Sequence, residues 1–128
     1  MTFRGMKIVR NSVLCLCAST LSANVSAQIF TTIINVPPDP APSSIESDTQ
    51  LNLSEGGSLG RLFFAGNQNG SSTQIEVNIT GGAVGSNFAA FAGSIINIRG
   101  GEISGGFNAG PNSVVNLSGG SVGRVSIA

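Results

Sequence analysis

The sequence contains no histidine, tryptophan or tyrosine, and only 9% of its residues are charged. Without histidine, neither a Ser-His-Asp triad nor a Cys-His pair can form. No Gly-Lys-Ser or Gly-Lys-Thr segment is present, which excludes a phosphate-binding P-loop. Glycine is abundant instead, at 18 of 128 residues, alongside asparagine, serine, valine and isoleucine. This composition favours short strands joined by tight turns over helices.

Charge is unevenly distributed along the chain. Three of the six basic residues, Arg4, Lys7 and Arg10, lie within the first ten positions. From residue 28 onward, three arginines stand against six acidic residues, so the formal charge of this part is three minus six, or minus three. Because no basic patch is left to neutralise phosphates, we expect no nucleic-acid partner.

Residues 1–27 have the pattern of a secretory signal peptide. A basic segment precedes an apolar run from Val13 to Leu21, and the small residues 25–27 predict cleavage before Gln28. The run is about ten residues long, short of the roughly twenty that span a bilayer, so an uncleaved anchor is the less favoured alternative. Both cysteines, Cys15 and Cys17, lie in this leader. We therefore expect a secreted or surface-exposed mature chain without thiols, disulfides or a permanent membrane span.

A nineteen-residue repeat is the strongest signal in the sequence. Three aligned copies begin at Glu76, Ile95 and Val114. A looser copy begins at Leu51, and a seven-residue insertion at residues 67–73 explains its longer spacing from the next copy. The alignment superimposes an asparagine, a glycine pair and an aliphatic residue: Asn78, Gly81-Gly82 and Val84; Asn97, Gly100-Gly101 and Ile103; Asn116, Gly119-Gly120 and Val122.

Apolar and polar residues alternate within each copy with the period of a β-strand. A second short strand follows the glycines, and a third carries Phe88 or Phe107 inward. Three strands with their turns account for the nineteen residues of one repeat, which therefore forms one coil. Because a single coil cannot bury its own inward side chains, a core forms only where several coils stack, about 4.8 Å apart. We therefore predict an all-β parallel β-helix, or β-solenoid, with two inner aliphatic ladders: Val77, Ile96 and Val115, and Val84, Ile103 and Val122.

Residues 28–50 precede the clear repeats. The segment from Gln28 to Val36 predicts a strand, and four prolines within residues 37–42 prevent a continuing hydrogen-bonded ladder. We interpret residues 28–50 as a capping strand with a proline-rich segment, and residues 51–128 as the solenoid. The last copy ends part-way through a coil. We therefore expect either a short, truncated solenoid or a C-terminal edge that associates with another chain.

The repeats contain no pattern typical of a catalytic, cofactor-binding or metal site. Glu76, Arg99 and Glu102 do not recur at one repeat position, and we interpret the two carboxylates as solvated side chains. Calcium-binding glycine-rich repeats need a recurring aspartate, which the sequence lacks. We therefore predict no enzymatic activity, no cofactor and no metal.

Two features leave alternatives open. The recurring asparagines either stack as hydrogen-bonded amides, which we favour, or accept N-glycans, since residues 78–80 and 116–118 are sequons. Five phenylalanines either pack in the core, which we favour, or form an exposed platform for polysaccharide. These are Phe63, Phe64, Phe88, Phe91 and Phe107.

The segments VNITGGAVG and VNLSGGSVG, at residues 77–85 and 115–123, resemble the repeats of secreted bacterial parallel β-helix proteins of the planctomycete type. The leader, INVPPD and SDTQLNL segments are similar to the start of such proteins. The resemblance implies a right-handed helix with pectin-lyase-like or autotransporter-passenger-like architecture, on which adhesins and polysaccharide lyases both occur. We expect a non-enzymatic structural or adhesive protein whose partners are polysaccharide or other cell-surface components. The alternative is a polysaccharide-binding or polysaccharide-processing β-helix whose active coils are missing from this chain.

Overall fold

Twelve short β-strands follow one another in residues 29–127, the part of the chain that the computed structural model describes. The predicted signal peptide, its cysteines and the cleavage site before Gln28 lie outside the described residues. The strands are β1 (Thr32–Val36), β2 (Ser44–Ile45), β3 (Thr49–Leu53), β4 (Ser58–Leu59), β5 (Phe64–Ala65), β6 (Ile75–Ile79), β7 (Ala83–Val84), β8 (Phe88–Ala90), β9 (Ser94–Ile98), β10 (Glu102–Ala109), β11 (Val114–Leu117) and β12 (Ser121–Ile127).

The strand pairings in the described residues are all parallel. One sheet has the order β1-β3-β6-β9-β11, and the other has the order β2-β5-β8-β10-β7-β4, with β12 also paired to β10. Neighbouring strands of the first sheet belong to successive windings, of which residues 29–127 contain about five. This architecture confirms the predicted β-solenoid with coils of about nineteen residues.

The strand register agrees with the repeat alignment. Asn97 pairs with Asn78 on one side and with Asn116 on the other. Asn52 pairs with Asn78 although 26 residues separate them, because the insertion at residues 67–73 leaves the stack as a loop. The repeat therefore sets which residues lie above one another, and the insertion does not disturb that order.

One coil was not recognised from the repeat alone. The strand predicted between Gln28 and Val36 forms the shorter β1, and it pairs in register with β3, so that Asn35 lies beside Asn52. These two asparagines are only 17 residues apart, and prolines follow β1 where the other copies have glycines. The chain thus begins its first winding within the segment interpreted from sequence as a cap.

The coils bend at up to three corners, and at most of these corners one residue has a φ angle in the left-handed region. In the fourth and fifth coils the second and third predicted strands are joined, as β10 and β12. A register shift between Ile103 and Gly106 marks the bend there. The left-handed residues are Gly56, Gly82, Gly101 and Gly120 at the first corner, Leu62, Asn87 and Gly105 at the second, and Asp48, Gln74, Gly93 and Asn112 at the third.

The core consists of rows of side chains that run from coil to coil. Both predicted aliphatic ladders are confirmed, with Val77, Ile96, Val84 and Ile103 buried and the last-coil members Val115 and Val122 packed against them. A third row is aromatic. The ring centroids of Phe63 and Phe88 are 5.3 Å apart, and those of Phe88 and Phe107 are 4.8 Å apart. Since a buried side chain of this size stabilises by about 1.5–3 kcal/mol, the rows hold the coils together.

The outer edge of β1 is capped at Asn35 by the turn that follows it. The backbone N–H of Asn35 donates to Oδ2 of Asp39 at 2.8 Å, and the backbone N–H of Asp39 donates to the carbonyl of Asn35 at 2.7 Å. Both main-chain groups of Asn35, the fourth of the five residues of this edge strand, are therefore satisfied within the turn.

Candidate functional site

A ladder of asparagine amides runs along the outer face of the first sheet. Each Nδ2 donates to Oδ1 of the asparagine in the preceding coil, at 3.0, 2.9, 2.8 and 2.8 Å. The ladder extends through Asn35, Asn52, Asn78, Asn97 and Asn116. The favoured interpretation of the asparagines as stacked amides is confirmed.

Glu76 braces this ladder from the neighbouring outward row. Its Oε1 accepts hydrogen bonds from Nε2 of Gln50 at 2.6 Å and from Nδ2 of Asn78 at 3.2 Å, and its Oε2 accepts one from Nδ2 of Asn97 at 3.4 Å. The interpretation of Glu76 as a solvated side chain missed these contacts, whereas Glu102 is exposed as expected. Glu76 thus serves the stacking of the coils.

We expect the ladder to contribute measurably to stability, most of all at its buried centre. In Asn97→Leu the oxygen of Asn78 loses its donor and the amide of Asn116 loses its acceptor, so the free energy of unfolding should fall by about 1–3 kcal/mol. Urea unfolding followed by circular dichroism measures this loss. The control is Asn35→Leu, at the exposed end of the ladder, and an equal loss in both variants would contradict the prediction.

Acidic side chains form no metal-binding cluster in the described residues. Within residues 29–127, no three histidine, cysteine, aspartate or glutamate side chains are placed to hold a metal ion. This part of the chain also contains no helix of the length and apolarity needed to cross a membrane. The chemically distinctive surface lies instead among the aromatic and amide side chains.

Two of the five phenylalanines depart from the core interpretation. Phe63, Phe88 and Phe107 are buried, as favoured from the sequence. Phe64 and Phe91 are only partly buried, and their rings meet edge to face with centroids 5.7 Å apart. They form a small aromatic patch outside the core.

A groove lies beside Phe91, between the inserted loop and a turn of a later coil. It has a volume of about 400 Å³ and is lined by residues 67–70 of the loop, by Phe91 and Ala92, and by Pro111 and Asn112. A smaller hollow of about 170 Å³, also lined by Phe91, lies against Asn108 and Gly110. Phe91 therefore borders two concave surfaces.

The inserted loop is held in shape by its own polar groups. The backbone N–H of Ser71 donates to Oδ1 of Asn69 at 2.9 Å and to Oδ1 of Asn67 at 3.2 Å. The backbone N–H of Asn67 donates to Oγ of the buried Ser72 at 3.2 Å. These bonds give the groove a preformed wall.

A third hollow, of about 200 Å³, lies at the inward face of the last described coil. Val115, Leu117, Val125 and Ile127 line it together with Ile98 and Phe107 of the coil before. Leu117 is 55% exposed, whereas its counterpart Ile98 in the preceding coil is 1% exposed. The same row position is therefore buried only where a following coil covers it.

Parallel pairing, a repeated coil and a continuous inner core define the molecule as a β-solenoid repeat protein. No protein-family model matches the chain, and neither curated proteins nor solved structures yield a match. The architecture shows the parallel β-solenoid that the resemblance implied, and the comparisons assign it to no family.

Proposed function

We propose that this chain is a secreted or cell-surface structural protein without catalytic activity, in which the solenoid is a rigid scaffold that supports adhesive contacts. The observation that carries the proposal is the uninterrupted asparagine ladder from Asn35 to Asn116, backed by three inner rows of buried side chains. Such continuous stacking suits a scaffold, because every coil holds its neighbours in place. The outward polar side chains of this face are engaged in stacking.

The inserted loop supports a display role. Solenoids tolerate insertions at their turns because a loop on one face leaves the neighbouring pairings intact. Residues 67–73 form such a loop, while Asn52 and Asn78 still pair in register on either side of it. A rigid stack can therefore carry an additional surface loop.

Export is the first test of this proposal. Expression of the full chain in a bacterium with a working secretory system should give a protein outside the cytoplasm that begins at Gln28 by mass spectrometry. The control, Leu16→Arg, interrupts the apolar run of the leader and should keep the protein inside the cell. Exported protein that retains Met1, or equal export of the control, would refute the leader assignment.

The adhesive role is tested on the exported protein. Beads coated with it should bind bacterial cells, and beads coated with the heat-unfolded protein should not, because the contacts depend on the folded surface. Equal binding by both preparations would count against a specific adhesive role.

A second candidate function, polysaccharide binding, is favoured by one observation: the partly buried Phe91 lies in a groove with amide side chains. Processing of a polysaccharide would need acid and base groups that this groove does not contain. The groove therefore favours binding over chemistry.

A further inference from the structure

We propose that the groove beside Phe91 binds an uncharged saccharide. This inference deepens the polysaccharide-binding candidate above and rests on it, because it supplies the site and the chemical class of the ligand. Three properties carry it: an accessible aromatic ring, amide groups with open hydrogen-bonding capacity, and a preformed wall.

The ring of Phe91 is accessible because glycines flank it along the stack. The N–H of Phe91 donates to the carbonyl of Ala65 at 2.9 Å, and the N–H of Gly110 donates to that of Ala90 at 2.8 Å, so Gly66, Phe91 and Gly110 occupy equivalent positions. A Cβ atom placed on Gly66 would lie 3.3 Å from the Cβ of Phe91. With no side chain at either glycine, the ring offers apolar surface on which the C–H face of a sugar can pack.

Amide groups stand on both sides of the ring. Gln68 projects from the inserted loop and Asn112 from the later turn, and within residues 29–127 neither side-chain amide has a hydrogen-bond partner. Each carboxamide offers two donors and an acceptor, a set that matches sugar hydroxyls, which both donate and accept. No charged residue lines the groove. An anionic sugar would therefore lose hydration free energy on binding without gaining an ion pair in return. The lining therefore favours a neutral ligand.

The site needs little rearrangement to bind. The loop wall is held by hydrogen bonds from Ser71 to Asn67 and Asn69, which reduces the conformational entropy lost on binding. The groove volume, about 400 Å³, falls within the roughly 300–1,000 Å³ of small-molecule sites. Because Phe91 also borders the hollow against Asn108, a ligand of several sugar rings can extend across the aromatic ring from one surface to the other.

The test is a titration of the exported full-length protein with neutral oligosaccharides of glucose, mannose, xylose and N-acetylglucosamine, and with oligogalacturonate as the charged probe. Nuclear magnetic resonance follows the side-chain amides of Gln68 and Asn112, and calorimetry gives the affinity. We expect saturable binding of at least one neutral probe that shifts both amides. Phe91→Ala should weaken this binding about tenfold or more, equivalent to about 1.4 kcal/mol. The control Val114→Ala, on an exposed residue of the first sheet, should leave it unchanged.

Binding by none of the neutral probes would overturn the proposal, as would tighter binding of oligogalacturonate or unchanged affinity in a folded Phe91→Ala variant. If Phe91→Ala does not fold, the double variant Gln68→Ala with Asn112→Gly decides, because both side chains are exposed and glycine accepts the left-handed φ of position 112. Its unchanged affinity would overturn the proposal, and a loss comparable to that expected for Phe91 would support it. Failure here leaves the export and bead-adhesion results unaffected, since those depend on the leader and on the folded solenoid as a whole.

Discussion

Replacing Phe88 with alanine is expected to lower the free energy of unfolding by about 3–5 kcal/mol, the range for a buried aromatic truncated to alanine. Phe88 is fully buried and lies between Phe63 and Phe107, so its loss removes ring contacts on both sides. The neighbouring coils are held at their spacing by strand pairing and cannot close the cavity. Since small domains are stable by about 5–15 kcal/mol in total, this variant should unfold at much lower urea concentration.

The matched control for this substitution is Phe91→Ala, three positions later in the same coil. Phe91 lies outside the core and is only partly buried, so its truncation should cost about 1 kcal/mol. Urea unfolding of both variants, followed by circular dichroism, gives the comparison. Equal losses would show that the aromatic row does not hold the coils together as the structure indicates.

Replacing Gly101 with valine is expected to cost about 3 kcal/mol or more, because backbone strain and a steric clash act together. Gly101 has a φ of +80°, which a β-branched residue rarely adopts. A Cβ atom at this position would lie 2.8 Å from the carbonyl oxygen of Gly81 and 3.0 Å from that of Gly82, both main-chain atoms of the preceding coil. Relief would require the two coils to separate at this corner.

Gly60→Val is the control for this prediction. Gly60 has no atom within 4 Å of an added Cβ, and its φ is not in the left-handed region, so the substitution should change stability by less than about 1 kcal/mol. Thermal unfolding of the exported variants, with the yield of folded protein as a second measure, separates the two cases. A Gly101→Val protein as stable as Gly60→Val would contradict the corner geometry.

The strand register could be predicted from the sequence because the two-residue strand period and the nineteen-residue repeat occur in the same segments. Alternation of period two sets which side chains face inward, and the nineteen-residue repeat sets which of them stack. The first coil was not predicted in this way, because β1 has Asn35 at the ladder position but lacks the glycine pair that follows it in the other copies. A ladder position can thus persist where the rest of the repeat has changed.

The aromatic patch could have been found from the same alternation. Phe88 faces inward, and Phe91 follows it by three positions, an odd number, so a period of two places Phe91 on the outer face. By the same rule, Phe64 faces outward because its neighbour Phe63 is buried. The role of Glu76 could not be found this way. Its hydrogen bond to Gln50 requires that the coils before and after the inserted loop pair in register. It also depends on the conformations of two flexible side chains.

The turn at Asp39 has a consequence for assembly. In a parallel stack, a bare first strand would recruit the last strand of another molecule, and copies would join end to end into fibres. Near the C-terminal end of β1, an incoming strand would find the amide and carbonyl of Asn35 already engaged by Asp39. Strand addition at this edge is therefore hindered at Asn35, where an incoming strand would have to displace the turn at Asp39.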